Sequence, residues 1–261
     1  MLAAGARWIA SRRFFRHGQR RRVNLILFEA HELAVPLPRE DRRAAHILTV
    51  LRRGVGDTFD AGLVNGPRGK ATLIAIEATT LTLTFHGETV PAQPDPITLI
   101  VGLPRPATAR DILRETAALG VAAIHFVATE KGEPSYAQST LWSSDEWRQL
   151  LLAGAAQAFD TRIPGVSHGK ALAETIAALP MGSRRIALDN YEAPAALGRL
   201  ELAKDSPVVV AIGSERGWSA AERATLRAEG FDLAHLGPRV LRVETATIAA
   251  VSIIRAKLGL M

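Results

Sequence analysis

The spacing of apolar residues changes once along the chain, near residue 90. Before that point, compact runs and two-residue alternation dominate. VNLILF (23–28), DTFDAG (57–62), KATLIAIE (70–77) and TLTLTFHGE (80–88) are rich in β-branched residues and are separated by turn-forming clusters such as NGPRG. This is the pattern of strands joined by tight turns. One helix interrupts them over 39–53, where Ala44, Ile47, Leu48 and Leu51 recur at helical spacing. Together these segments predict a small β-barrel carrying a single helix. VPAQPDP (90–96) then places three prolines in seven residues, as expected of a linker.

From residue 97 strands alternate with helices. ITLIVGL (97–103) reads as a buried strand, and ATARDILRETAALG (107–120) as an amphipathic helix stopped by Gly120. VAAIHFVA (121–128) follows. Ser143 and Glu146 have capping-box spacing ahead of a helix that reaches Phe159. ALAETIAAL (171–179) predicts a short helix, RRIALD (184–189) a strand and PVVVAIG (207–213) a strongly β-branched strand. Ser219 and Glu222 form a second capping box before a helix ending at Gly230. FDLAHLG (231–237) is the last strand, and 245–258 the last helix, capped by Thr245 and buried on most sides. Alternation of this kind implies a parallel sheet covered on both faces. The expected fold class is α/β, with a β domain over 23–90, a linker over 91–96 and an α/β domain over 97–261.

Composition narrows the function classes. The chain has 261 residues, 48% of them hydrophobic, and no cysteine. Disulfides, thiolate metal sites and a cysteine nucleophile are excluded, and a reducing, cytoplasmic setting is expected. No apolar run reaches the length of a membrane-spanning helix, so no membrane partner is expected. The net charge of +6 is concentrated at one end: residues 1–22 hold seven arginines and no acid, leaving 25 basic against 26 acidic residues in the remainder. That segment reads as a targeting peptide, as a basic arm touching RNA, or as upstream sequence from a wrong start.

In open α/β sheets, ligands bind beyond the carboxyl ends of strands. Two loops there stand out, GSERGW (213–218) and LGPRVLRVETA (236–246). Gly213, Gly217 and Gly237 let backbone approach a ligand, and the helix starts that follow offer free N–H groups. Ordinary glycine turns before capped helices are the alternative. Neither loop is a dinucleotide or P-loop motif. The seven histidines show no metal spacing, so no metal is expected, and His125 within AIHFVA reads as a satisfied interior side chain. No serine sits in a nucleophile elbow. Arg105, Arg110 and Arg114, together with Arg52 and Arg53 in DRRAAHILTVLRR, line either an RNA face or a solvated one.

IGSERGWSAAE (212–222) followed by LGPRVLRVETATIAAV (236–251) resembles the SPOUT, or trefoil-knotted, methyltransferases. Within them the chain is similar to the bacterial family that methylates N3 of a uridine in small-subunit ribosomal RNA. HILTVLRRGVGDTFDAG (46–62) resembles that family's PUA-like barrel. LPRPATARDILRETAALGV (103–121) resembles the opening of its catalytic domain, and AAQAFDTRIPGV (155–166), which holds Arg162, resembles a further segment expected to touch RNA. The resemblance implies S-adenosyl-L-methionine bound in a C-terminal knot, a homodimer with each site near the subunit interface, and ribosomal RNA or the small ribosomal subunit as partner. It assigns Gly213, Glu215 and Gly217 to one cofactor loop, Leu236, Gly237, Pro238, Val240, Leu241 and Thr245 to a second, and Leu188 to a third. Arg239, Arg242 and Glu244 carry the chemistry: Arg242 stabilises charge on the uracil, and Glu244 is either the base or the holder of an arginine. The chain departs from the family pattern at Arg105, Asp160, Ser214, Arg216 and Val243. These departures leave open a SPOUT enzyme with another RNA target, and a non-catalytic RNA-binding or assembly factor is the third reading.

Overall fold

The computed structural model describes residues 25–204 and 206–261. The arginine-rich stretch 1–22, with its three readings, lies outside them. Every strand up to Thr89 belongs to one sheet and every strand from Asp95 to another.

The first sheet has the order β1-β3-β4-β5-β2. β3 (Thr58–Leu63), β4 (Arg68–Ile76) and β5 (Thr80–Thr89) form an antiparallel meander, flanked by β1 (Ile26–Phe28), parallel to β3, and by β2 (Leu37–Pro38), antiparallel to β5. Alternation explains the strands: Ala71 and Leu73 of β4, Phe59 and Ala61 of β3 and Leu81 of β5 share one buried cluster with Phe28. Because β1 and β2 do not pair with each other and remain edges among the described residues, the sheet is a half-barrel rather than a closed barrel. Gly69 is required here, since a Cβ on it would lie 1.9 Å from the His86 carbonyl oxygen.

The helix expected over 39–53 is shorter and irregular. α1 (Arg42–Ala45) starts where Asp41 accepts the Arg43 N–H at 2.7 Å, then widens into a π turn over His46–Val50. Leu51 N–H reaches His46 O at 2.9 Å, and Arg52 ends the turn at φ 54°. The widened turn keeps Ala44 and Ile47 in the core.

The second sheet is entirely parallel, in the order β10-β12-β9-β11-β6-β7-β8. Its strands are β6 (Asp95–Gly102), β7 (Val121–Ala128), β8 (Gly165–Ala171), β9 (Arg184–Leu188), β10 (Ala195–Ala196), β11 (Val208–Ile212) and β12 (Asp232–His235). β6 sends Ile97, Leu99 and Val101 to one face, against Ile112 and Leu113 of α2 (Pro106–Ala118), Leu151 of α4 (Glu146–Gln157) and Val251 and Ile254 of α7 (Val243–Leu258). Ile100 points to the opposite face, where Val209, Ala211 and Leu233 pack with Ile176 of α5 (Leu172–Ala177) and Leu226 of α6 (Ala220–Ala228). Two covered faces account for the nearly continuous apolar runs of β6 and β11.

Two strands were not expected, and three local expectations are corrected. β8, GVSHGKA, is an exposed edge strand with no apolar pattern to betray it, and β10 is only two residues long. Ser143 closes α3 (Thr140–Ser143) instead of capping α4, whose N-cap is Asp145 without a side-chain capping bond to the backbone; Glu146 pairs with Arg110 at 2.6 Å instead. Thr245 does not cap the last helix. α7 begins at Val243, because that side chain is buried in the main core and draws the helix start two residues earlier, with Arg242 as N-cap. Nor is α7 buried on most sides: Ala246, Ile248, Ala249 and Ile253 are half-exposed. The Ser219–Glu222 capping box does form.

The two sheets meet through Thr161, whose carbonyl accepts Asn65 N–H at 2.8 Å and whose hydroxyl donates to Gly66 O at 2.7 Å. Asp160 accepts the N–H groups of Thr161 and Arg162. The acid at 160 therefore fixes this crossing of the chain. Among the described residues, no helix is long and apolar enough to cross a membrane.

Candidate active site

β12, β9, β11 and β6 are neighbours in the sheet, and all run the same way. Their carboxyl ends therefore open side by side, and the loops leaving them enclose a cavity of about 460 Å³. That volume is within the range of small-molecule sites, about 300–1,000 Å³. Leu188, Ile212, Leu236 and Leu241 give it apolar walls. Gly213, Glu215, Gly217, Val240, Arg242, Glu244 and Arg105 also line it. Gly237, Pro238, Arg239 and Thr245 flank the same loop without lining the cavity.

The first loop leaves β11 as a tight turn in which Gly217 N–H donates to Ser214 O at 2.8 Å. Gly217 adopts φ 64°, a conformation that favours glycine. Gly213 must also lack a side chain, because a Cβ there would sit 3.0 Å from the Gly217 backbone. Ser214 is buried beneath the end of β6, where a Cβ on Gly102 would meet Ser214 N at 2.6 Å. Glu215 accepts the Arg105 N–H at 3.0 Å, which ties the start of α2 to this loop. In the second loop Gly237 stands at φ 105°, and its N–H donates to His235 Nδ1 at 3.0 Å.

The charges around the mouth are unevenly partnered. Among the described residues, Arg216, Arg239 and Arg242 make no side-chain hydrogen bond or ion pair, and Glu244 pairs with no arginine, contrary to one of its expected roles. Of the arginines expected to meet RNA, Arg105 lines the cavity and donates to the Thr108 hydroxyl. Arg110 is paired with Glu146, and Arg114 with Asp111 and Glu115. Arg162 donates to Ala92 O, while Arg52 and Arg53 are exposed in the loop between the π turn and β3. Of these six side chains, Arg105 is the one that lines the cavity. No group of three potential metal ligands occurs among the described residues.

A family model described as an RNA methyltransferase domain matches residues 91–255. The chain belongs to this RNA methyltransferase family. The ribosomal RNA small subunit methyltransferase E of Treponema pallidum is 34% identical to it, over 90% of this chain and 91% of that one. A probable rRNA methyltransferase of Porphyromonas gingivalis superposes with a TM-score of 0.76 at 20% identity, covering 91% and 99% of the two chains. The ribosomal RNA small subunit methyltransferase E of Neisseria gonorrhoeae, solved bound to S-adenosyl methionine, gives 0.67 at 20% identity, covering 89% and 97%. These two structures share the fold.

Three residues that frame the cavity were not among the expected site residues. Trp218 is wholly buried, and its indole N–H donates to Leu188 O at 3.1 Å, joining the β11 and β9 loops. Asp189 accepts N–H groups from Tyr191 and Glu192 and the Arg223 guanidinium at 2.7 Å. Arg223 and Asp189 form a buried pair beneath the cavity. A buried carboxylate followed by a short loop was the available clue, but its partner lies 34 residues away. Glu222 extends the framework by accepting Glu130 N–H, and Lys131 donates to Trp218 O.

Burial pushes the Asp189 carboxyl upward, but the hydrogen bond from Arg223, the two backbone N–H groups and the Arg223 charge together outweigh it and hold the group below the usual carboxylate range. A depressed folded pKa contributes stability above the unfolded value, near pH 4, that is lost as pH falls through the folded value. Asp189→Asn is therefore expected to lower stability at pH 7 by about 3 kcal/mol. The gap from the wild type should narrow below about pH 4. Urea denaturation at neutral and acidic pH checks this, and a gap independent of pH would remove Asp189 as its source.

Proposed function

We propose that the protein is a cytoplasmic S-adenosylmethionine-dependent enzyme that methylates N3 of a uridine in small-subunit (16S) ribosomal RNA. The observation that carries this reading is the placement of Arg242, without a side-chain partner among the described residues, on a glycine-walled cavity at the carboxyl ends of four parallel strands. The named relative from Treponema pallidum supports the substrate.

The cavity fits the cofactor. Apolar Leu188, Leu236 and Leu241 suit the faces of a purine, and Gly213 and Gly217 let the loop backbone come close to a ligand. When bound, S-adenosylmethionine supplies an electrophilic methyl group on a sulfonium sulfur. The chain's own residues prepare the uracil. The N3 proton is lost about two pK units above neutrality, so its removal requires roughly 3 kcal/mol. A guanidinium at the uracil carbonyls supplies energy of that size by stabilising the anion as it forms. Arg242 is the cation in place for this, Glu244 is the carboxylate available to take the proton, and Arg239 flanks both. No covalent nucleophile is needed.

The same reading carries a knotted C-terminal segment, a PUA-like RNA-binding unit over 23–90 and a homodimer. The half-exposed Ala246, Ile248, Ala249 and Ile253 of α7, beside the cavity, support the last of these. Arg216, at the turn of the first cofactor loop, favours a second reading in which the same chemistry serves another RNA.

Calorimetry with S-adenosylmethionine and mass spectrometry of ribosomal RNA from a strain lacking the gene test the proposal together. Saturable cofactor binding and loss of one 3-methyluridine from small-subunit RNA are the expected results. An unchanged modification map would sink the substrate assignment. Absence of cofactor binding at millimolar concentration would leave a non-catalytic RNA-binding factor.

A further inference from the structure

Tyr191 is 77% exposed, although it sits on the lip of the cavity. Its position is nonetheless fixed. Asp189 Oδ1 accepts its backbone N–H at 2.8 Å. The Arg223 guanidinium lies 5.2 Å from the ring centre, covering one face. Arg223 is itself locked to buried Asp189 at 2.7 Å. The ring is thus a preformed platform with one face backed by a cation and the other open to solvent.

The opposite lip is the 214–217 turn. A Cβ built on Gly217 would lie 3.8 Å from Cε2 of Tyr191, so the ring edge abuts this turn. Glu215 and Arg216 occupy its corner. Glu215 turns back to the Arg105 N–H, while Arg216 stays exposed with no side-chain partner among the described residues. An open aromatic face beside an uncommitted guanidinium is the arrangement that holds single-stranded nucleic acid: bases stack on the ring, and the cation meets the phosphate.

We infer that Tyr191 and Arg216 form a clamp for single-stranded RNA at the rim, with a base flanking the methylated nucleotide stacked on Tyr191 and a phosphate held by Arg216. The inference rests on the proposed methyltransferase reading and adds to it where the RNA strand lies. It also gives a task to the arginine at 216, one of the positions where the chain departs from the family pattern.

The test measures two affinities on each of four proteins: wild type, Tyr191→Ala, Tyr191→Phe and Arg216→Ala. S-adenosylmethionine affinity is read by calorimetry. RNA affinity is read by anisotropy of a fluorescein-labelled, single-stranded oligoribonucleotide of mixed sequence at several salt concentrations. Tyr191→Ala should weaken RNA binding about tenfold, and Tyr191→Phe, which keeps the stacking face, should stay within about twofold. Arg216→Ala should weaken it several-fold and flatten the salt dependence by roughly 0.7 in the log–log slope, the loss of one single-strand phosphate contact. Both residues stand at the rim of the cofactor cavity, so cofactor affinity should fall much less than RNA affinity in every variant, and retained cofactor binding also shows that the loops remain folded. Wild-type RNA affinity in Tyr191→Ala or Arg216→Ala overturns the clamp, as does a loss of cofactor affinity that matches the loss of RNA affinity. Wild-type protein that fails to bind S-adenosylmethionine counts against the enzyme reading, separately from the RNA results of the variants.

Discussion

Arg242→Ala is expected to lower kcat by a factor on the order of 10² to 10³, the usual cost of losing one charge-stabilising donor. Its affinity for S-adenosylmethionine should stay within a few fold. The split follows from the geometry. Arg242 precedes α7 with an extended backbone, and its carbonyl accepts the Ala246 N–H at 2.8 Å whatever its side chain. The guanidinium itself has no partner among the described residues, so its removal leaves no buried acid stranded. The helix is anchored by Val243, Thr247 and Ala250, not by the arginine. Arg242→Lys should recover part of the rate, because an ammonium supplies charge without the planar fork that matches two uracil oxygens. Single-turnover kinetics on RNA with saturating cofactor is the measurement, and wild-type turnover in the alanine variant would remove Arg242 from the chemistry.

Trp218 should control stability rather than turnover directly. Trp218→Ala empties the largest wholly buried side chain and is expected to cost about 3–5 kcal/mol. Trp218→Phe keeps most of the apolar contact with Leu226 and Leu233 but strands the Leu188 carbonyl, for about 1–3 kcal/mol. The two variants separate packing from the hydrogen bond. Because the indole joins the ends of β9 and β11, both should also weaken S-adenosylmethionine binding, which no surface substitution of equal size would do. Urea denaturation paired with calorimetry checks this; unchanged cofactor affinity in a folded Trp218→Phe protein would show that the loops do not need the tie.

The parts of the fold that were legible in the sequence are those where a local demand leaves a local mark. β11 needs Val208, Val210 and Ile212 on one face and Val209 and Ala211 on the other, so it has to be apolar throughout. Gly217 and Gly237 announce the site loops because positive φ is expensive for other residues. β8 left no mark, since an edge strand exposed to water needs no apolar face. The Ser143–Glu146 spacing misled because a capping box depends on φ and ψ at the cap, and Glu146 found a stronger partner in Arg110. Asp189, Trp218 and Arg223 were silent because their partners lie 30 to 34 residues away and meet only once β9 and β11 pair. Resemblance located the loops, and the structure adds a second role for Glu215: it lines the cavity and also accepts the Arg105 N–H.

The strand order bears on how the chain is born. β9 pairs only with β11 and β12, and both are synthesised after it. β11 in turn fills the space between β6, made more than a hundred residues earlier, and β9. During translation the early half of the sheet must wait with one side of β6 unpaired, and β9 emerges with no neighbour at all. An unpaired, apolar strand edge is what chaperones recognise and what drives aggregation. A nascent chain stopped before residue 207 therefore carries one open side of β6, both open sides of β9 and none of the β11 or β12 loops, so ligand binding should arise late and abruptly, only once β11 and β12 have been made.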